Sequence, residues 1–204
     1  SVKNFFVLCS HKLVPPALMA LVSCGVRLSG FILPGHVSVM IGEKAYEPFF
    51  ESCRLPMVVT GFEPVDILYG IERLVAQCAD GSARLETAYR RAVHHDGNPR
   101  GMLLLNNVFE AADADWRGIG VILMSGLRLK EEYMEFDASA RFGVKIEDVP
   151  EPRGCRCGDV LKGMITPLEC PLFNKACTQA NPIGPCMVSS EGTCAAYLKY
   201  GRKR

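Results

Sequence analysis

No apolar run in these 204 residues approaches the ~18 that a membrane-spanning helix needs: FFVL, LVPPALMALV and GVILM are each cut short by proline, glycine or a polar residue. No membrane association is expected. No basic segment followed by an apolar core opens the chain, which points away from secretion and makes a cytoplasmic location the expectation. The first residue is Ser1 rather than methionine and an apolar run follows almost at once, so a further N-terminal region is expected to precede it. Also lacking is a basic stripe interleaved with aromatics: net charge is +1, and nucleic acid is not an expected partner. There is no G-x-x-x-x-G-K-[ST] phosphate loop and no G-x-S-x-G nucleophile elbow, and G-x-G occurs only at Gly118 to Gly120 without a third glycine. Conventional ATPase, hydrolase and dehydrogenase readings therefore fail.

What is present is a composition able to bury a sizeable core, 49% hydrophobic and 22% charged. Up to about residue 145, strand-like runs alternate with helical stretches: KNFFVLCS then PPALMALVS; VRLSGFIL then AYEPFFESC; PMVVT then EPVDILYGIERLVAQC; later GIGVILM. MVVT and GVILM are too continuous for strands with one wet face and predict coverage on both faces. The alternation is that of βαβ units, so residues 1–146 are expected to form an α/β domain with a mostly parallel, three-layer sheet.

From Glu147 the pattern changes. EDVPEPRG reads as a linker, and after it come short polar turns rich in Gly, Pro and Cys, with too little apolar periodicity to build a large core alone. Residues 147–204 are expected to be a small irregular and helical module that a metal centre stabilises. Basic residues outnumber acidic ones there, 8 against 4 from residue 151 onward.

Of ten cysteines, Cys9, Cys24, Cys53 and Cys78 are scattered and read as small buried hydrophobes. The other six, Cys155, Cys157, Cys170, Cys177, Cys186 and Cys194, fall within forty residues. Their spacers, 1, 12, 6, 8 and 7 residues, match neither the paired knuckles of zinc ribbons nor the C-x2-C-x2-C of bacterial ferredoxins. Six thiols suit a 4Fe-4S cluster with four ligands and two sulfurs left over, in any of fifteen partitions. Structural disulfides are disfavoured in a reducing compartment.

The run CRCGDVLKGMITPLECPLFNKACTQANPIGPCMVSSEGTCAAYLKY closely resembles the C-terminal signature of the HypD family of hydrogenase maturation proteins. The resemblance continues upstream through LVPPAL, LPGHVSVMIG, VVTGFEPVDIL, YRRAV, NNVFE, DWRGIGVILMSGL and EFDA. It implies a 4Fe-4S cluster in surroundings similar to those of ferredoxin:thioredoxin reductase, held by Cys155, Cys170, Cys177 and Cys194, with Cys157 and Cys186 as a redox-active pair. Exchanging Cys155 with Cys157 satisfies the same counting. It also implies a scaffold that, with HypC and HypE as partners, carries iron transiently while cyanide and carbon monoxide are attached, giving the Fe(CN)2CO unit of nickel-iron hydrogenases. Such a protein is a redox-active maturation scaffold rather than a metabolic enzyme. The family's first α/β domain, with its iron-binding cysteine and CGPGCPVC motif, has no counterpart in this sequence. The alternative reading is a stand-alone thiol-disulfide electron-transfer protein resembling ferredoxin:thioredoxin reductase.

LSGFILPGHVSVMIG and LPMVVTGFEPVDILYGI share one design, an apolar strand, a glycine-containing turn, an ionisable residue, then a helix. Ligands of open α/β sheets bind beyond the strands' C-terminal edge, which makes His36, Glu63 and Asp66 candidates for a common cleft. The resemblance implies that they position an iron-bound diatomic ligand or move protons. His11, His94 and His95 are read as structural or solvated, and Trp116 and Arg117 in DWRG as packing or docking residues.

Overall fold

A computed structural model describes residues 2–26, 28–145, 150 and 152–201. The expected boundary at 146 and 147, half of EDVPEPRG and the end of the GRKR tail lie outside the described residues. The chain divides into two units: residues 1–22, 28–114 and 123–144 form one, and residues 23–27, 115–122 and 145–204 the other. No helix among the described residues is long and apolar enough to cross a membrane.

The first unit is mixed α/β. Helix α1 (Val14–Ser23) leads to strand β1 (Phe31–Pro34), followed by α2 (Gly35–Ile41), α3 (Glu47–Cys53), β2 (Met57–Thr60), α4 (Pro64–Asp80) and β3 (Leu85–Thr87). The three strands form a parallel sheet ordered β1-β2-β3, with Phe31 opposite Met57 and Met57 opposite Leu85. Every residue of MVVT is buried, as its unbroken apolar run predicts. Burying Met57, Val58 and Val59 is worth about 1.5–3 kcal/mol each. Phe31, Leu33, Met57 and Val59 pack with Tyr46, Phe49 and the apolar residues Val14, Leu18 and Leu21 of α1.

Helix α4 covers the other face. Pro64 pre-sets its first turn, Gly81 ends it in the left-handed conformation, and Gly70 sits against the Thr60 methyl with no room for a side chain. Its buried residues are Asp66, Gly70 and Gln77, whereas Val65, Leu68 and Val75 are exposed. Gln77 replaces apolar packing by donating to Glu86 at 3.0 Å and accepting from the Arg84 N–H at 2.8 Å. Arg73 and Arg84 complete the network at Glu86.

Helix α5 (Pro99–Val108) starts at Asn98, whose side chain caps the Gly101 N–H. Strands β4 (Phe109–Trp116) and β5 (Gly120–Leu129) form a separate two-stranded sheet. Helix α6 (Ala138–Phe142) is capped by Asp137. The second unit contains the turn end of the β4–β5 sheet and three short helices, α7 (Cys157–Leu161), α8 (Pro185–Val188) and α9 (Thr193–Tyr200).

Three expectations need correction. KNFFVLCS is not a strand; Val7 alone forms an isolated bridge, to Asp137, and Phe5 and Leu8 are exposed. GVILM is a strand but is not covered on both faces, because Val121 and Leu123 are 69% and 71% exposed on a sheet that has two strands among the described residues. None of Cys9, Cys24, Cys53 and Cys78 is buried: Cys24 and Cys78 are exposed, and Cys9 and Cys53 are half-buried. Polar partners explain the half-buried two, with Cys9 donating to the Leu127 carbonyl and Cys53 to that of Phe49. The strand in VRLSGFIL is confined to its end, and Arg27 lies outside the described residues.

Candidate functional site

In the second unit, all six clustered cysteines line one cavity, together with Leu172, Phe173, Gly184 and Met187. Short turns put them there. The turn at Gly154 delivers Cys155, and Cys157 opens α7. A helical turn at Pro167–Glu169, boxed by Thr166 and Glu169, delivers Cys170. A left-handed Asn174 closes the loop in which the Cys177 N–H donates to the Leu172 carbonyl at 2.9 Å. Gly192 lies against the Cys186 backbone too closely for any side chain, which seats α9 and Cys194 against α8 and Cys186.

Five of the six thiols are buried, and only Cys155 is half-exposed. The Cys186 N–H donates to Cys157 Sγ at 3.2 Å, and the Ile183 N–H donates to Cys177 Sγ at 3.4 Å. A hydrogen bond to Cys157, burial and neighbouring thiols push the Cys186 thiol well up. Burial followed by the crowding of other cysteines pushes Cys194 up to about 11, and burial pushes Cys155 up as well. Each ionisation makes the next harder, a cost that a positively charged centre reverses. Among the described residues, no group of three or more His, Cys, Asp or Glu is placed to hold a single metal ion.

In the first unit, the turns after β1 and β2 carry the other candidates. The Arg91 guanidinium meets both Asp66 oxygens, at 2.7 and 2.6 Å, and Glu63 Oε2 at 2.5 Å. It lies 4.5 Å over the ring of Tyr89. Gly35 and Gly61 flank that ring so closely that a Cβ on either would stand 2.9 Å from it. Arg91 holds the buried Asp66 carboxyl below its ordinary range, and Asp66 raises Arg91 in return. The His36 ring packs 5.1 Å from that of Phe62, the residue before Glu63. The Thr87 hydroxyl, at the end of β3, is buried and unpartnered among the described residues.

The structure thus joins Glu63 with Asp66 through Arg91, a bridge that reading residues singly missed although YRRAV was in view. His94 and His95 lie exposed in the expected turn, and His11 packs edge-on against Phe109. Trp116 lines a pocket in the second unit.

A family model for HypD, described as the hydrogenase formation hypA family, matches residues 1–201. Hydrogenase maturation factors HypD of Cupriavidus necator and Azotobacter vinelandii are 41% and 42% identical, over 98% and 99% of this chain and 55% of each relative. A Methanocaldococcus jannaschii protein, provisionally named as a hydrogenase expression/formation protein, is 44% identical over 98% of this chain and 56% of its own length. The chain spans about half the length of the curated relatives it matches. A match along virtually the whole of these residues means that the chain belongs to the HypD family.

Proposed function

We propose that this chain supplies the second α/β domain and the cysteine module of a scaffold that assembles the metal centre of nickel-iron hydrogenases. The observation that carries the reading is the convergence of six cysteines on one otherwise apolar cavity, in a chain of the HypD family. Thiolates are the donors that an iron-sulfur cluster takes. Six thiols on one cavity offer a four-iron group its four ligands with two sulfurs to spare. Cys155, Cys170, Cys177 and Cys194 would hold it. Bound there, a 4Fe-4S cluster supplies one-electron steps.

Cys157 and Cys186 remain as the exchangeable pair, a partition supported by the contact between the Cys186 N–H and Cys157 Sγ. Closing their disulfide releases two electrons and two protons, and opening it takes up the same. Their burial keeps bulk thiols from short-circuiting the exchange. Cys155, only half-buried, is the ligand nearest to solvent.

The cargo in this reading is iron carrying cyanide and carbon monoxide, with HypC and HypE type proteins as partners, HypE providing the cyanide. His36 offers a donor to a diatomic ligand, and Glu63, 73% exposed, a proton acceptor. Asp66 is occupied through both oxygens and so positions Arg91 instead of moving protons. The relatives are nearly twice as long as the residues matched here, and in this reading completion of the unit also draws on the family's first α/β domain.

Anaerobic purification with iron and acid-labile sulfide analysis tests the reading. About four of each per chain, with broad absorption near 400 nm, is expected. Serine at Cys155, Cys170, Cys177 or Cys194 should abolish loading, and serine at Cys157 or Cys186 should spare it. One zinc and no colour would overturn the redox role. A cluster without HypC binding, once the longer family chain is used, would favour a stand-alone thiol-disulfide carrier.

A further inference from the structure

A second pocket of the cysteine-bearing unit, about 520 Å³ in volume, opens beside the cavity, and Cys155 belongs to the walls of both. Its size is that of a small-molecule site. One wall is the β4–β5 turn with Trp116; the other runs from Cys155 to Lys162 and carries Arg156 and Asp159. Its charges are not all spent alike. Arg156 Nε and Asp159 satisfy each other at 2.9 Å, and Asp115 has a partner of its own. The Lys162 ammonium forms no ion pair among the described residues.

We propose that this pocket binds a small, carboxylate-bearing peptide disulfide and directs it onto Cys155, making Cys155 a site of reversible thiolation. A carboxylate of the ligand pairs with Lys162, and its sulfurs lie against Cys155. The Cys155 thiolate attacks one sulfur of the disulfide; a new S–S bond forms, the old one breaks, and the other half leaves as a thiolate. The small disulfide is the oxidant, and a free thiol reverses the exchange. A capped Cys155 cannot act as a metal ligand, so thiolation and cluster loading exclude one another. This consequence rests on the ligand assignment proposed above; the pocket's preference does not.

The experiment compares glutathione disulfide with uncharged hydroxyethyl disulfide on the metal-free chain, scoring adducts by peptide mass mapping. Exposed Cys24 and Cys78 serve as internal references. The anionic-to-neutral ratio cancels the thiolate fraction, which both reagents share. That ratio is expected to be at least about threefold higher at Cys155 than at the references, to fall to theirs in Lys162→Glu and to persist in Lys162→Arg. Equal ratios at the three cysteines, or a preference that survives Lys162→Glu, would overturn the proposal. A separate arm uses the iron- and sulfide-loaded chain. Protection of Cys155, with Cys24 and Cys78 still labelled, is expected. Unprotected Cys155 beneath an intact cluster spectrum would refute the ligand assignment while leaving the pocket standing.

Discussion

Gly184 has no side chain because Cys155 Sγ occupies the place where one would go. Gly184→Ala should therefore displace the sulfur and lower iron loading by several-fold with the fold intact, measured as iron per chain beside a circular dichroism spectrum. Unchanged loading would mean that Cys155 is not a ligand. Asp66 offers a second test, of pH dependence. Its carboxyl titrates below the ordinary range in the folded chain, so its contribution to stability is present above about pH 3.9, the unfolded value, and is lost as pH falls through the folded one. The urea midpoint of Asp66→Asn should lie below that of the parent at pH 7, and the gap should shrink by pH 3. A gap that widens in acid would contradict the sign. The carboxylates were legible in GFEPVD. Their partner was not, because Arg91 is 25 residues away and reaches Asp66 only once β3 has paired beside β2.

At the scale of elements, contacts between backbones decide what is tolerated. Gly158, in α7, lies against the carbonyl of Gly118 in the β4–β5 turn, inside the distance any Cβ could keep. Gly158→Ala should force the two apart and cost about 1–3 kcal/mol in the cysteine-bearing unit. The protein's sole tryptophan, Trp116, sits in that turn, so its fluorescence against denaturant reads the loss directly. An unshifted midpoint would mean that the turn yields freely. Helix α4 and the strand MVVT were legible because a capped helix and an unbroken apolar run each have a local cause. β3 is three residues long and carries no such pattern. KNFFVLCS misled because apolar content specifies a strand only where a neighbour offers a ladder, and its neighbours offer single bridges. The apolar side chains of α4 that face outward belie the rule that a helix buries its apolar stripe; the sheet side is held by the Gln77 and Glu86 network instead.

For the molecule as a whole, the crowd of thiols sets a limit in alkali. Cys194 titrates near 11 in the folded chain, so its contribution is complete below about pH 8.5, the unfolded value, and declines as pH rises towards 11. The reduced, metal-free chain should melt at a lower temperature at pH 10 than at pH 7.5, and loading with iron and sulfide should flatten the difference, since bound thiolates have no proton to lose. A melting temperature that rises with pH would contradict this. The six-cysteine cavity was legible as a cluster in sequence, but which sulfur meets which was not, because the spacers fix loop lengths and leave directions to the turns.

The polypeptide enters the cysteine-bearing unit three separate times, at residues 23–27, at 115–122 and from 145 onward. A genetic cut that removed only the last passage would leave behind a turn shaped to meet Gly158, and a transplanted tail would arrive without Trp116. The cysteine module is thus stitched into its host rather than appended to it, and its inheritance as a working part requires the β4–β5 turn to travel with it.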